Sequence, residues 1–379
     1  MSTPSILKKL KTKIVMKNIK YQNKDKAFKK ELFYRVNQYF IENKVSKTGN
    51  KILFWKSGIL LAIYILIYLL LLVSPNTLVL FSCYISLGIL TIFVALNIGH
   101  DAAHHTFSKN KKFNNLLLYT FDFLGVSGYL WRLKHVHSHH PHVNIPDMDG
   151  DIKQSNLVRI FPNAPFLSFH KFQYLYMPIL YMFYTLHWLL FRDFKDFLNT
   201  NISGKPNHKH EVRECLKFIM GKIIYLSRMI LLPYILLSYS ISTILLGFLM
   251  FHFAASFTVA LALVSAHIGE DSVYPQPDEE GNMPTSWVRH QIITTCDFST
   301  DNKWLTHLFG GFNHHLVHHL FPNICHIHYP MLTKILVETC EEFNMPYKSN
   351  PTLIRAVFSH LNFLKIRSLQ GLKVEYLEM

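Results

Sequence analysis

The chain reads as an all-α integral membrane protein: four transmembrane helices arranged as two hairpins, with a cytoplasmic helical cap that gathers histidines. Three observations predict this. Long apolar runs come in two pairs, three groups of histidine follow those runs instead of interrupting them, and Lys plus Arg outnumber Asp plus Glu by 39 to 24. Half of the residues are apolar and 17% are charged, a balance between a soluble domain and a pure membrane bundle.

Residues 1–52 are a basic, cytoplasmic segment by this reading. The start lacks an apolar core followed by a small-residue cleavage site, so it does not read as a signal peptide. Lys8 to Lys30 is expected to be a solvated basic arm drawn to an anionic leaflet, and the stretch up to Lys51 to be partly disordered. Gly58–Ser74 and Thr77–Ile98 are each long enough to cross a hydrocarbon core of about 30 Å as a helix. Pro75-Asn76 joins them as a tight hairpin. A second apolar block, from about Ile223 to Ala266, turns near Ser238–Ser242 and gives spans at about 220–240 and 243–266. Lys222 and Arg228 lie near its starting face, where long side chains are expected to snorkel to water.

Phe172–Phe191 is also apolar enough to span, but its repeated aromatics, with Pro178 and His187 inside, suit a helix lying at the interface. Parity favours the interface. The first histidine group begins after Ile98 and His267 ends the last apolar run, so a shared site requires an even number of crossings between them. The remaining segments, Gly99–Lys171 and Gly269–Met379, are polar enough to form a cap, with 341–379 as a cytoplasmic tail.

Cys83, Cys215, Cys296, Cys325 and Cys340 show no paired spacing and no CxxC motif, so disulfides are not expected and the cap faces a reducing compartment. The net charge of +15 raises nucleic acid as a partner, but no recognised binding motif accompanies it. An anionic leaflet is the better match, and a nucleic-acid partner is not predicted.

The chemistry lies in the histidines. His100 and His104 are four apart and share one face of a helix. His135, His139 and His140 repeat that spacing, with adjacent rings diverging towards neighbouring ions, and His315, His318 and His319 repeat it again. Imidazole suits zinc, copper, iron or nickel. A structural zinc takes about four ligands, so this number points to a two-metal centre with open positions, of the kind that activates oxygen. The acidic run Asp147, Asp149, Asp151 resembles a calcium loop only superficially, lacking the downstream Glu.

The segments GHDAAHHTFSKNKKFN, WRLKHVHSHHPHVNIPDMDGDI and GGFNHHLVHHLFPNICHIHYP resemble the three histidine boxes of the membrane fatty acid desaturases, in the bacterial branch related to front-end and linoleoyl-CoA-type enzymes. The resemblance covers about Leu53 to Leu336 and implies a desaturase domain over 53–340. It places the family's ligands on His100, His104, His135, His139, His140, His315, His318 and His319, with His267 in SAHIGE as a ninth. It implies two non-haem irons, O2 as co-substrate, and a cis double bond made in an acyl chain carried on CoA or on a membrane lipid. No haem-binding His-Pro-Gly-Gly motif occurs, so electrons are expected from a separate ferredoxin or cytochrome-type donor. His315 stands where many front-end members have Gln, so the ligand count is kept while the box departs from the front-end motif, and front-end regiochemistry does not follow from it.

Asp101, Asn144, Glu270, His290 and Asn313 are candidates for orienting the imidazoles from outside. His105, His137, His142, His314, His326 and His328 are expected in hydrogen-bonding roles near the clusters, and His187, His252 and His360 in structural ones. Two rivals remain. A hydroxylase on the same scaffold would add an oxygen where a desaturase removes two hydrogens. A membrane metal transporter would place its sites within the spans near the midplane, whereas these clusters follow the spans.

Overall fold

The structure, a computed structural model, describes residues 19–152, 155–199 and 209–375. The arm before residue 19 lies outside the described residues. Four helices are long and apolar enough to cross a membrane: Lys51–Leu72, Thr77–Ala103, Val212–Leu236 and Ile241–Leu263. Three of the four begin at a capping side chain. Asn50, Asn76 and Ser240 cap the first, second and fourth by accepting from the backbone N–H three residues on. Two loops, around Ser74 and Tyr239, end the hairpins, and Tyr239 Oη donates to Ser74 O across them (3.2 Å). The second and fourth helices run parallel from those loops. At 27 residues each, Thr77–Ala103 and Ile241–His267 exceed the roughly 20 needed to span. Their last turns carry His100 and His267 to the same end, as the parity argument requires.

The second and fourth helices approach closely because Gly247 leaves room for the Tyr84 ring, which a methyl group there would overlap. The third helix contains Pro233, which offers no N–H to the preceding turn. The carbonyls freed at Arg228 and Met229 accept instead from Tyr68 Oη and Tyr84 Oη, each at 2.8 Å. Thus a helix defect becomes a link between the two hairpins.

Lys222 and Arg228 do not snorkel to water. Lys222 Nζ is buried against Asp193 Oδ2 (2.6 Å) and Gly125 O (2.8 Å), and Arg228 donates to Phe123 O (2.9 Å) and Tyr64 Oη (3.1 Å). Both cations thus meet the C-terminal end of the helix Lys111–Phe123, where carbonyls lack helical partners. Phe172–Phe191 is broken at Met182–Phe183 into pieces too short to cross. Thr185 ties it to the fourth span through His252 Nδ1 (2.9 Å) and Ser256 Oγ (2.8 Å). Phe172, Leu175, Ile179 and Phe191 point outward.

Residues Lys26–Glu42 form a helix, where partial disorder was expected. Phe28, Leu32, Val36 and Phe40 recur every four residues, line one face, and pack on Leu332 and Leu336 of the helix Tyr329–Glu342. Burial of each such side chain contributes roughly 1.5–3 kcal/mol, which outweighs the basic character of the opposite face. The described cysteines are unpaired, as expected.

Candidate metal centre

Three short helical segments and the end of the fourth span bring the histidines together. A wide, five-residue turn at Ala95–Gly99 precedes His100, and His104 closes the helix end. The helix Gly128–Lys134, capped by Ser127, runs into a second wide turn at His135–His139. Such π-turns recur at functional sites because they rephase side chains. Here the His140 N–H donates to His135 O (3.2 Å), so these two rings share a face while His139 turns away. The third segment, His315–Leu320, starts where Asp297 Oδ1 accepts from the Leu316 N–H (2.7 Å). Gly310 precedes it with φ +56°, and a Cβ there would meet Leu96 O at 2.6 Å. Only a glycine lets this loop press onto the second span beside His100.

Two groups of four result: His100, His104, His135 and His318, then His139, His267, His315 and His319. Within each group the ligating atoms lie within 4.8 Å of one another. His140 sits between the groups, its ring centroid 4.8 Å from that of His104 and 4.5 Å from those of His318 and His319. All nine sequence candidates therefore converge. The i, i+4 pair His135 and His139, expected on one face of an α-helix, is split between the groups by the π-turn.

Protons decide what this arrangement can hold. His135 Nδ1 donates to Asp151 Oδ2 (2.8 Å), His139 Nδ1 to Asp149 Oδ1 (2.9 Å) and His267 Nδ1 to Thr294 O (3.1 Å). His318 Nδ1 pairs with Tyr329 Oη (3.0 Å). In the His135, His139 and His267 rings, whose partners can only accept, Nε2 keeps a bare lone pair when the ring is neutral. Yet His135 Nε2 faces the Nε2 atoms of His100, His140 and His318 at 3.2–3.4 Å, and His267 Nε2 faces that of His315 at 2.8 Å. Nδ1 of His100, His140, His315 and His319 is buried without a hydrogen-bond partner among the described residues, so these rings are free to turn Nε2 inward as an acceptor, and the donor set fits metal ions with imidazole ligands.

The electrostatics agree. Burial, reinforced by neighbouring imidazoles, holds His135, His140, His315, His318 and His319 far below the usual histidine range, in the neutral form that ligates. Burial likewise opposes charge at His139, but Asp149, through its charge and hydrogen bond, lifts that ring above the usual range. Asp149 is itself fixed by the N–H groups of Asn144, Asp151 and Ile152 at 2.8–3.0 Å.

The outer residues differ from the sequence candidates. Asp101 lies 3.9 Å from His100 Nδ1 and is engaged instead by His326 Nδ1 (2.8 Å) and Cys325 Sγ (3.0 Å). Asn144 acts through its backbone N–H on Asp149, while its amide braces His267 O and Val273 O, each at 3.1 Å. His290 donates to Val143 O (2.8 Å) and Asn313 to Thr306 Oγ1 (2.9 Å), so both brace loops without touching a clustered ring. Glu270 faces away, paired with Arg355 (2.9 Å) and Asn362. Sequence reasoning missed Asp149, Asp151, Tyr329 and Thr294. Carboxylates 10 and 16 residues beyond the histidines they serve were the available signal.

Fold and site together define a helical membrane protein with two adjacent all-histidine groups, suited to metal ions, at one end of its spans. The profile of the fatty acid desaturases matches residues 75–351. The chain is 33% identical over 365 residues to the sn-1 linoleoyl-lipid 6-desaturase of Synechocystis sp., covering 93% of this chain and 98% of that protein. It is 31% identical over 334 residues to the acyl-lipid (8-3)-desaturase of Physcomitrium patens, covering 86% and 69%. An sn-1 linoleoyl-lipid 6-desaturase of Arthrospira platensis is 30% identical over 350 residues, covering 90% and 93%. The chain belongs to the fatty acid desaturase family. It is a membrane enzyme that desaturates acyl chains.

Proposed function

We propose that each four-histidine group holds one iron, that His140 completes the set between them, and that the substrate is an acyl group esterified to a membrane lipid. The convergence of neutral imidazoles into two groups carries the metal assignment. Relatives of nearly matching length, named for linoleoyl-lipid and position 6, support a lipid-linked substrate and a new double bond at carbon 6. When bound, the irons supply reductive activation of O2, by which two hydrogens leave adjacent carbons and two waters form with two electrons and two protons from outside.

The chain's own residues set the conditions for that chemistry. Asp149, Asp151, Thr294 O and Tyr329 hold the outer ring nitrogens and so aim the inner lone pairs. Trp131 stacks on His135 (4.4 Å between centroids) and Phe312 lies against His100 (4.7 Å), shielding the centre from water. Ile92, Leu96, Val259 and Phe309 form an apolar cluster at the ends of the second and fourth spans, which keeps the surroundings of the imidazoles dry.

The catalytic unit extends over 53–340, with its histidines and both chain termini on the cytoplasmic side. There the exposed Lys109, Lys111 and Lys112 present a basic surface to an acidic ferredoxin or cytochrome-type donor. Expression in a host with a simple fatty-acid profile, supplied with linoleate, tests this reading. The expected lipid has lost two hydrogens, with the new double bond at carbon 6 of a lipid-bound chain. A hydroxylated chain, or conversion of acyl-CoA alone, would contradict it.

A further inference from the structure

Outside the histidine groups, a cavity of about 170 Å³ opens between the first turns of Lys51–Leu72 and the helix Lys303–Leu308. Lys56, Lys303, His307 and His326 line it, and among the described residues no carboxylate does. Lys56 Nζ donates to His326 Nε2 (2.8 Å), whose other nitrogen is held by Asp101 on the far side of the ring. The carboxylate behind the wall is therefore already occupied, and two ammonium groups share the opening. Burial and the Lys56 charge both draw the His307 imidazole below its usual range, so it faces the cavity as a neutral donor beside accumulated positive charge.

Depth narrows the choice of anion. Lys56 lies five residues into the first span, about 7.5 Å along the helix axis at 1.5 Å per residue. Trp55 and Trp304, 74% and 81% exposed, stand next to Lys56 and Lys303, and exposed tryptophans of this kind favour the level of lipid head groups. The volume is below the roughly 300 Å³ at which pockets enclose a whole small molecule, so it suits a head group whose chains stay in the bilayer. We propose that this cavity binds the phosphate of a membrane phospholipid head group, with Lys56 and Lys303 supplying the charge and His307 a hydrogen bond. The site is separate from the acyl-reacting centre and does not depend on the assignment made for it.

The test uses the full-length, metal-loaded protein in detergent, titrated with phosphatidylglycerol or with uncharged diacylglycerol and read by native mass spectrometry. One phosphatidylglycerol is expected to be retained in preference to diacylglycerol. Lys303→Gln, which touches no part of the His326 network, is expected to weaken retention about fivefold, with metal content unchanged. Lys56→Gln is expected to weaken it at least as much. Equal retention of the two lipids, or unchanged retention in Lys303→Gln, would overturn the proposal. Displacement of the lipid by glycerol phosphate or inorganic phosphate at matching concentration would assign the site to a soluble phosphate and overturn the lipid reading.

Discussion

The two histidine groups share their chemistry and differ in their access. All four rings of the His139, His267, His315, His319 group are buried, and the Asp149 side chain that orients His139 is fully enclosed. In the His100, His104, His135, His318 group, His104 is only partly buried and the Asp151 side chain paired with His135 is 25% exposed. The same ligand type thus forms one closed site, fixed by a carboxylate that four groups hold, and one site open toward solvent. Rigidity belongs to the first and exchange with the surroundings to the second.

The largest effect tests whether the groups work as a unit. His139→Ala and His318→Ala, one from each group, are both expected to reduce lipid desaturation below detection in an expressing host. Survival of activity in either would make one group dispensable and break the comparison. Next, Asp149→Asn is expected to cost about 10–100-fold in metal affinity or activity, and Asp151→Asn less, because solvent can replace the exposed partner. Equal losses would show that enclosure is irrelevant. Third, chelator treatment of the folded protein should extract metal in two phases, the faster one absent in His318→Ala. A single phase would make the sites equivalent.

Smallest at the centre is the effect of Leu32→Ala, in the helix Lys26–Glu42. It is expected to lower stability by about 2–5 kcal/mol on thermal unfolding while changing metal content less than any histidine substitution, since Leu32 packs in a cluster that reaches the histidine groups only through Leu316, Val317 and Tyr329.

Much of this was legible in the chain, and what was not has physical reasons. The four spans follow from apolar length, and their common end from parity. That the nine histidines converge was readable because so many imidazoles beside membrane segments are costly unless they gather at a common site. The division of His135 from His139 was not, because a π-turn is set by packing and leaves no mark in a four-residue spacing. Lys222 and Arg228 were misplaced because their partners, Asp193 and the end of Lys111–Phe123, are brought near only by the tertiary fold. The helix Lys26–Glu42 was hidden by its basic face, although its buried row recurs every four residues. Glu270 drew notice through its nearness in sequence to His267, but the chain turns after the fourth span and points it outward to Arg355.

The central claim, two ions held by two sets of four imidazoles, is tested most directly by the iron content of protein purified without oxygen. Two irons per chain are expected in the unaltered protein, and about one in each of His318→Ala and His139→Ala. Fewer than two in the unaltered protein, or a full complement retained in either variant, would contradict it.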